Sequence, residues 1–317
     1  MDRSTPPTVL AAGLLVTSAL VTGCQDDELG SRGDYSVQDA LGEVPASLED
    51  ENVIVFTGDL AQASELAGLE RPSDPESDAT GDWVIDLSGG SDDDHTGVFV
   101  PLPDMLTHGS PVQVADRADS GWSIVDVDSF VATNTFVVAS GDFDEDTLND
   151  ELTEVEEGIV TDEGEDPLRY AAVDGRVAAA AETEALRAWL DDEESSLTDD
   201  DAYAEVARAL DDQDAYSAVI LPMVGSDEYD LVGIGWSEDD DGPLVSTAFH
   251  FDSEDAARDS VDEMRERFDL EPIGDQIEVE DADTEGSSVV VTARPEEDSI
   301  DILMRAVVSL SPPFYAD

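Results

Sequence analysis

A formal net charge of −67, from 80 Asp plus Glu set against 13 basic residues in 317, constrains what this chain can fold into more than any motif does. Each basic residue is Arg, and the chain contains no Lys. In dilute buffer such a charge repels itself and opposes any compact state. The screening length falls from about 10 Å at about 0.1 M salt to about 3 Å at about 1 M. The composition therefore suits concentrated brine, where carboxylates hold water and cations at the surface. The acids run along the whole length rather than gathering in a tail. A hydrophobic fraction of 40% suffices for a core and argues against wholesale disorder. Nucleic acid is excluded as a partner, because phosphate binding needs clustered Lys and Arg.

Residues 1–23 read as a signal peptide. Arg3 supplies a short positive region, and Val9 to Val21 form an apolar run. That run is too short to span about 30 Å of hydrocarbon comfortably at about 1.5 Å per residue. It ends in Val21-Thr22-Gly23-Cys24, a lipobox pattern: an aliphatic residue, two small residues, then the thiol that carries the lipid. Two lipid chains on one thiol make a stable anchor where a single chain is marginal. Cys24 is the only Cys, so an intramolecular disulfide and any multi-cysteine metal site are excluded. No twin-Arg pair precedes the apolar run, which favours the general secretion route. Residues 24–51 read as a lipidated, acidic tether that lifts a folded part off the membrane.

The folded part is expected to be α+β, in two related units over residues 52–212 and 213–317. Each is read as an antiparallel sheet with helices packed on one face. Strands are expected at 52–56, 83–87, 97–100, 122–127 and 135–140, with helices carrying Leu60, Leu66 and Leu69, and then Leu148, Leu152 and Val155. Asp174-Gly175 marks a hairpin turn between 170–173 and 176–180, followed by a helix ending near Leu190. Thr198 to Asp201 cap a helix bearing Tyr203, Val206, Ala207 and Leu210, and 218–221 read as a further strand. Strands then follow at 231–236 and 244–251, a helix with Ala257, Val261, Met264 and Phe268, strands at 277–279 and 288–293, and a last helix with Leu303 and Val307. The order strand–strand–helix–strand–strand–helix occurs twice, with Phe143-Asp144 aligning on Phe251-Asp252 about 108 positions later. Asp59, Asp144 and Asp252 each precede a helix, and a capping role explains them better than catalysis.

Chemistry is sparse. The three histidines, His95, His108 and His250, show no metal-ligand spacing. His250 lies on the strand face opposite Phe249 and Phe251. There is no nucleophile elbow, phosphate loop or dinucleotide fingerprint, and the lack of Lys closes Schiff-base chemistry. Paired carboxylates are too common here to single out a glycosidase-type pair. Ser91 to Asp94 and Glu238 to Gly242 are oxygen-rich loops. Asp239 and Asp241 are weak candidates for cation binding, but the twelfth position of an EF-hand pattern falls on Ala248, so a solvated turn is the better reading. No catalytic residue and no cofactor is assigned.

The lipobox, the all-Arg acidic composition and the strand–Gly-Asp-Phe-Asp–helix segment together resemble haloarchaeal envelope lipoproteins of unassigned activity. That resemblance implies an exported protein, lipid-anchored on the outer face of the membrane, and carries over no catalytic residue. The expected function is non-catalytic binding or envelope interaction, with ligand and protein partner open. A solute-binding lipoprotein feeding a transporter is the alternative, with Trp83, Trp122, Trp189 or Trp236 lining a cleft. A hydrolase using paired acids ranks behind it.

Overall fold

The computed structural model describes residues 35–314, apart from 52, 76, 91–95, 104–105, 107–122, 144–151, 162–167, 192–194, 224–225, 227, 271–272, 297–298, 310 and 312. The described residues form one twelve-stranded antiparallel sheet, ordered β11-β12-β10-β9-β8-β1-β2-β3-β7-β6-β5-β4. The strands are β1 (Val55–Asp59), β2 (Val127–Ala132), β3 (Phe136–Gly141), β4 (Thr153–Glu156), β5 (Ile159–Thr161), β6 (Arg169–Val173), β7 (Arg176–Ala180), β8 (Ser217–Pro222), β9 (Leu231–Asp239), β10 (Gly242–His250), β11 (Ile277–Glu285) and β12 (Ser288–Pro295). Among the described residues seven α-helices accompany them: α1 (Val37–Gly42), α2 (Leu60–Leu66), α3 (Asp78–Leu87), α4 (Thr183–Leu190), α5 (Asp201–Asp211), α6 (Glu254–Phe268) and α7 (Ile302–Val308). The α+β class with an antiparallel sheet is as the sequence leads one to expect.

Strand alternation divides the apolar side chains between two cores, one on each face of the sheet. Val232, Ile234 and Trp236 of β9 and Val245 and Phe249 of β10 enter the first core, where α2, α3, α6 and α7 pack. Ala248, Val290, Ala178 and Ala180 point the other way, into a second core covered by α1, α4 and α5. Helices thus cover both faces of each half, not one face. A central strand with apolar residues at both parities must bury both faces, and β8 and β3 are of this kind: Ser217–Leu221 and Phe136–Ala139 are buried throughout.

The residues divided at 212/213 fall on the two sides of one seam. There β1 meets β8 antiparallel, from Val55 opposite Ile220 to Gly58 opposite Ser217. Outward from the seam the order is β1-β2-β3-β7-β6 on one side and β8-β9-β10-β12-β11 on the other; the first side then adds β5 and β4. Helix α5 precedes the 212/213 division but packs on β9 and β10, so the boundary does not separate two bodies.

The helices carry the signals that fix their ends. Asp200 accepts from Ala202 N and Tyr203 N to open α5, and Ser253 accepts from Ala256 N to open α6. Glu254 and Asp255 sit in the first turn of α6 and Arg265 and Arg267 in its last, matching the helix dipole. Asp252, expected to cap this helix, stands one position too early. Asp59 caps α2 through Gln62 N, 2.8 Å away. Asp174 and Gly175 form the turn between β6 and β7 with φ of 51° and 75°, the left-handed pair a two-residue hairpin requires.

Several other expectations are corrected. Residues 83–87 belong to helix α3, where Thr80, Trp83 and Leu87 recur at helical spacing on one buried side. Residues 97–100 are irregular backbone, tied to the sheet by Phe99 N donating to Tyr216 Oη and Ser217 Oγ donating to Phe99 O. Residues 124–126 make a 3-10 turn, and the strand begins at Val127. Val155 lies in strand β4, which is exposed along its whole length, and pairs with β5 at the edge of the sheet rather than lying on the apolar face of a helix. The helix expected around Leu148 lies outside the described residues, as do Trp122 and Asp144.

Residues 37–51, expected to belong to the tether, are part of the folded structure. Val37, Leu41 and Val44 are fully buried against the second core, and Ala46–Glu51 form a 3-10 helix. An acidic composition disguised a short amphipathic helix with apolar residues at spacings of four and three.

Candidate functional site

Cys24 and its lipobox neighbours Val21, Thr22 and Gly23 lie outside the described residues, as do His95, His108 and the loop Ser91 to Asp94. Described structure begins at Tyr35. Its hydroxyl donates to Thr57 Oγ1 at 3.0 Å, which in turn donates to Phe130 O at 2.7 Å. Burial pushes the Tyr35 phenol well above its ordinary range. No described helix is long and apolar enough to cross a membrane.

Asp239 and Asp241 close the β9–β10 hairpin. Asp239 Oδ1 accepts from Asp241 N at 2.8 Å, and its two oxygens accept from Arg294 Nη2 at 3.2 and 2.9 Å. The same guanidinium reaches Glu280 Oε1 at 2.8 Å. Arg294 holds the Asp239 carboxyl below the usual carboxylate range. The positive partner of this turn is an arginine from β12, and the two aspartates face each other through a backbone bond rather than a common centre. Among the described residues no group of three or more His, Cys, Asp or Glu is arranged to hold a metal ion.

The three described tryptophans among those proposed for a cleft serve separate cores. Trp83 donates from Nε1 to Ser64 Oγ at 3.1 Å, and Trp236 to Ile300 O at 2.9 Å, both in the first core. Trp189 packs on the opposite face, donating to Glu43 Oε2 at 2.8 Å beneath Arg176. They do not line one cleft.

His250 is the histidine the structure places in a built environment. It sits at the end of β10 on the face of the second core, as its alternation with Phe249 and Phe251 implied. Its Nδ1 lies 2.8 Å from Asp230 Oδ1, and its Nε2 lies 3.7 Å from Glu205 Oε2 on α5. Glu205 Oε2 is itself held by Ser287 N at 3.0 Å. Directly across the ladder from His250 stands Ser288, fully buried, its hydroxyl without a hydrogen-bond partner. The imidazole is 12% exposed. Just past the C-terminal end of α5, Asp212 meets Glu285, whose carboxyl is pushed up to about 7 by burial and by the hydrogen bond to that neighbouring acid. Sequence reasoning missed both groupings. Glu205 is 45 positions from His250 in the chain and one of 80 acids, so no spacing marks it.

The described architecture is an antiparallel sheet buried on both faces, with one histidine–carboxylate cluster at the seam of α5 with β10 and β12. No protein-family model matches the chain, and no curated protein matches it. Crystal form I of TP0453 is similar at 8% identity and a TM-score of 0.37, covering 90% of this chain and 100% of that one. Crystal form III of TP0453 is similar at 7% identity and a TM-score of 0.36, covering 87% and 100%. Likeness of that size carries nothing about fold or activity.

Proposed function

We propose that this chain is an exported lipoprotein of a high-salt environment, held on the outer face of the membrane through a lipid on Cys24. Its folded body acts as a non-catalytic binding or envelope-interaction element, in keeping with haloarchaeal envelope lipoproteins. The observation that carries this is Val21-Thr22-Gly23-Cys24 at the exit of the apolar run from Val9. The chain between Cys24 and Tyr35 is eleven residues long in reach, so the body stays within roughly 40 Å of the anchoring thiol.

The two halves of the sheet are copies of one five-stranded unit. Supporting this are the matching strand orders on either side of β1 and β8 and the matching face alternation. Val137 of β3 and Val245 of β10, 108 positions apart, both face the first core. A transporter-feeding receptor would need lobes that close over a solute. The continuous β1–β8 ladder ties the halves edge to edge, which weighs against that alternative.

Expression of wild-type protein and Cys24→Ser in a halophilic host tests the anchor. Wild type should partition with membranes and the variant should be released to the medium. Equal membrane retention of the two would overturn the proposal.

A further inference from the structure

We propose that the contact of Asp212 with Glu285 and the ring of His250 between Asp230 and Glu205 form an acid-closed latch, which docks α5 on the β11–β12 hairpin and, through Asp211, holds α1 to the body. The latch does not depend on a lipid at Cys24. On the anchoring proposed above, opening it would lengthen the tether.

Two contacts join α5 to the end of the hairpin. In the first, Glu205 Oε2 accepts from Ser287 N at 3.0 Å, just past the turn between β11 and β12. A Cβ built on Gly286 would stand 3.2 Å from the same oxygen, so this carboxylate lies directly on the turn. His250 Nε2 is 3.7 Å from it, and Nδ1 is 2.8 Å from Asp230 Oδ1. An imidazolium between two carboxylates favours the docked helix, and a neutral ring gives up that attraction. In the second contact, Asp212 and Glu285 share a hydrogen bond just past the last turn of α5. Two carboxyl groups can do so only while one of them holds a proton. Arg208, also on α5, attracts the Glu285 carboxylate, but burial and Asp212 outweigh it and raise the group to about 7.

The latch reaches α1 through neighbouring acids. Asp211 accepts from Val37 N at 2.6 Å and from Gln38 N at 3.1 Å. Burial raises the Asp211 carboxyl, and repulsion from Asp39 and Asp212 adds to it, so charge gained beside Asp212 weighs on the clamp. The docked chain holds a proton on Glu285 that the undocked chain has released. Docking is therefore favoured below about pH 4.5 and weakens as pH rises through about 7. Loss of charge on His250 acts in the same direction. Above neutral pH residues 35–51 leave the body, while β9 and β10 stay folded on their apolar core.

The test is amide hydrogen exchange of the full chain in molar KCl, read by mass spectrometry and corrected at each pH for the intrinsic rate. From about pH 5 to about pH 8.5, protection of residues 37–44 should fall at least about 10-fold, while that of β9 and β10 changes little. Glu285→Gln keeps a hydrogen bond to Asp212 without the second charge, and should retain most of the protection at the alkaline end. Asp212→Asn gives the same reading from the other partner, should either variant fail to fold. Adding His250→Gln to Glu285→Gln should remove the remaining pH dependence. A fall of equal size in wild type and in that double variant would overturn the proposal. So would wild-type protection of residues 37–44 that ignores pH, or that is lost together with β9 and β10.

Discussion

The carboxylate of Asp211 accepts the backbone N–H of Val37 at 2.6 Å, joining the end of α5 to the start of α1 across 174 positions of sequence. Its second oxygen accepts from Gln38 N at 3.1 Å. One acid thus satisfies two orphan donors of a helix that the composition had assigned to a tether. Removing the carboxylate in Asp211→Ala should cost about 1–2 kcal/mol. Residues 35–51 should then become the first site of limited proteolysis. Asp211→Asn keeps one acceptor oxygen and should fall between the two. Unchanged cleavage in Asp211→Ala would count against the clamp.

Helix α5 lies close on β9 because two glycines let it. A Cβ built on Gly233 would stand 2.4 Å from Val206 Cγ1, and one on Gly235 3.0 Å from Leu210 Cδ2. Gly233→Val should therefore lower stability by at least about 1–3 kcal/mol through overpacking. Gly42→Ala meets nothing within 4 Å and should be neutral or slightly stabilising. Thermal melts of the two in molar salt give the comparison, and equal Tm values would contradict the packing described.

Glu285 makes stability depend on pH in a direction opposite to that of an ion-paired acid. Its carboxyl is raised from 4.5 to about 7 in the folded chain, by burial first and by Asp212 second. Between those values the folded state holds a proton that the unfolded state has released. The contribution is fully present below about pH 4.5 and is lost as pH rises through about 7. Glu285→Gln should flatten the fall of Tm across that window. Parallel Tm profiles for the variant and wild type would remove Glu285 from the account.

Much of the fold was legible, and the failures have physical causes. The run β9–β10–α6–β11–β12–α7 follows its apolar pattern, since Ala257, Met264 and Phe268 share one stripe of a capped helix. Trp83 to Leu87 misled because a short apolar run fits either period, and only packing against Ser64 decides for a helix. The strap of Val37, Leu41 and Val44 carried its helical spacing openly, but the surrounding acids read as solvent-facing tether. The His250 cluster was half legible: alternation gave its face, while Glu205 and Asp230 were indistinguishable from a background made of the same residue types.

Salt should hold the whole together. Dilution from molar salt to about 0.1 M lengthens the screening distance several-fold, and the carboxylates then repel across the surface. Circular dichroism should report loss of ordered structure on dilution, restored when salt is returned. A spectrum indifferent to salt would contradict the reading of −67 as adaptation to brine.

The proposed lipid on Cys24 is most directly tested by mass spectrometry of the N-terminal peptide of protein extracted from host membranes. The account predicts a chain that begins at Cys24 and carries two lipid chains in thioether linkage on its sulfur. A free Cys24 thiol, or a peptide still containing residues 1–23, would contradict it.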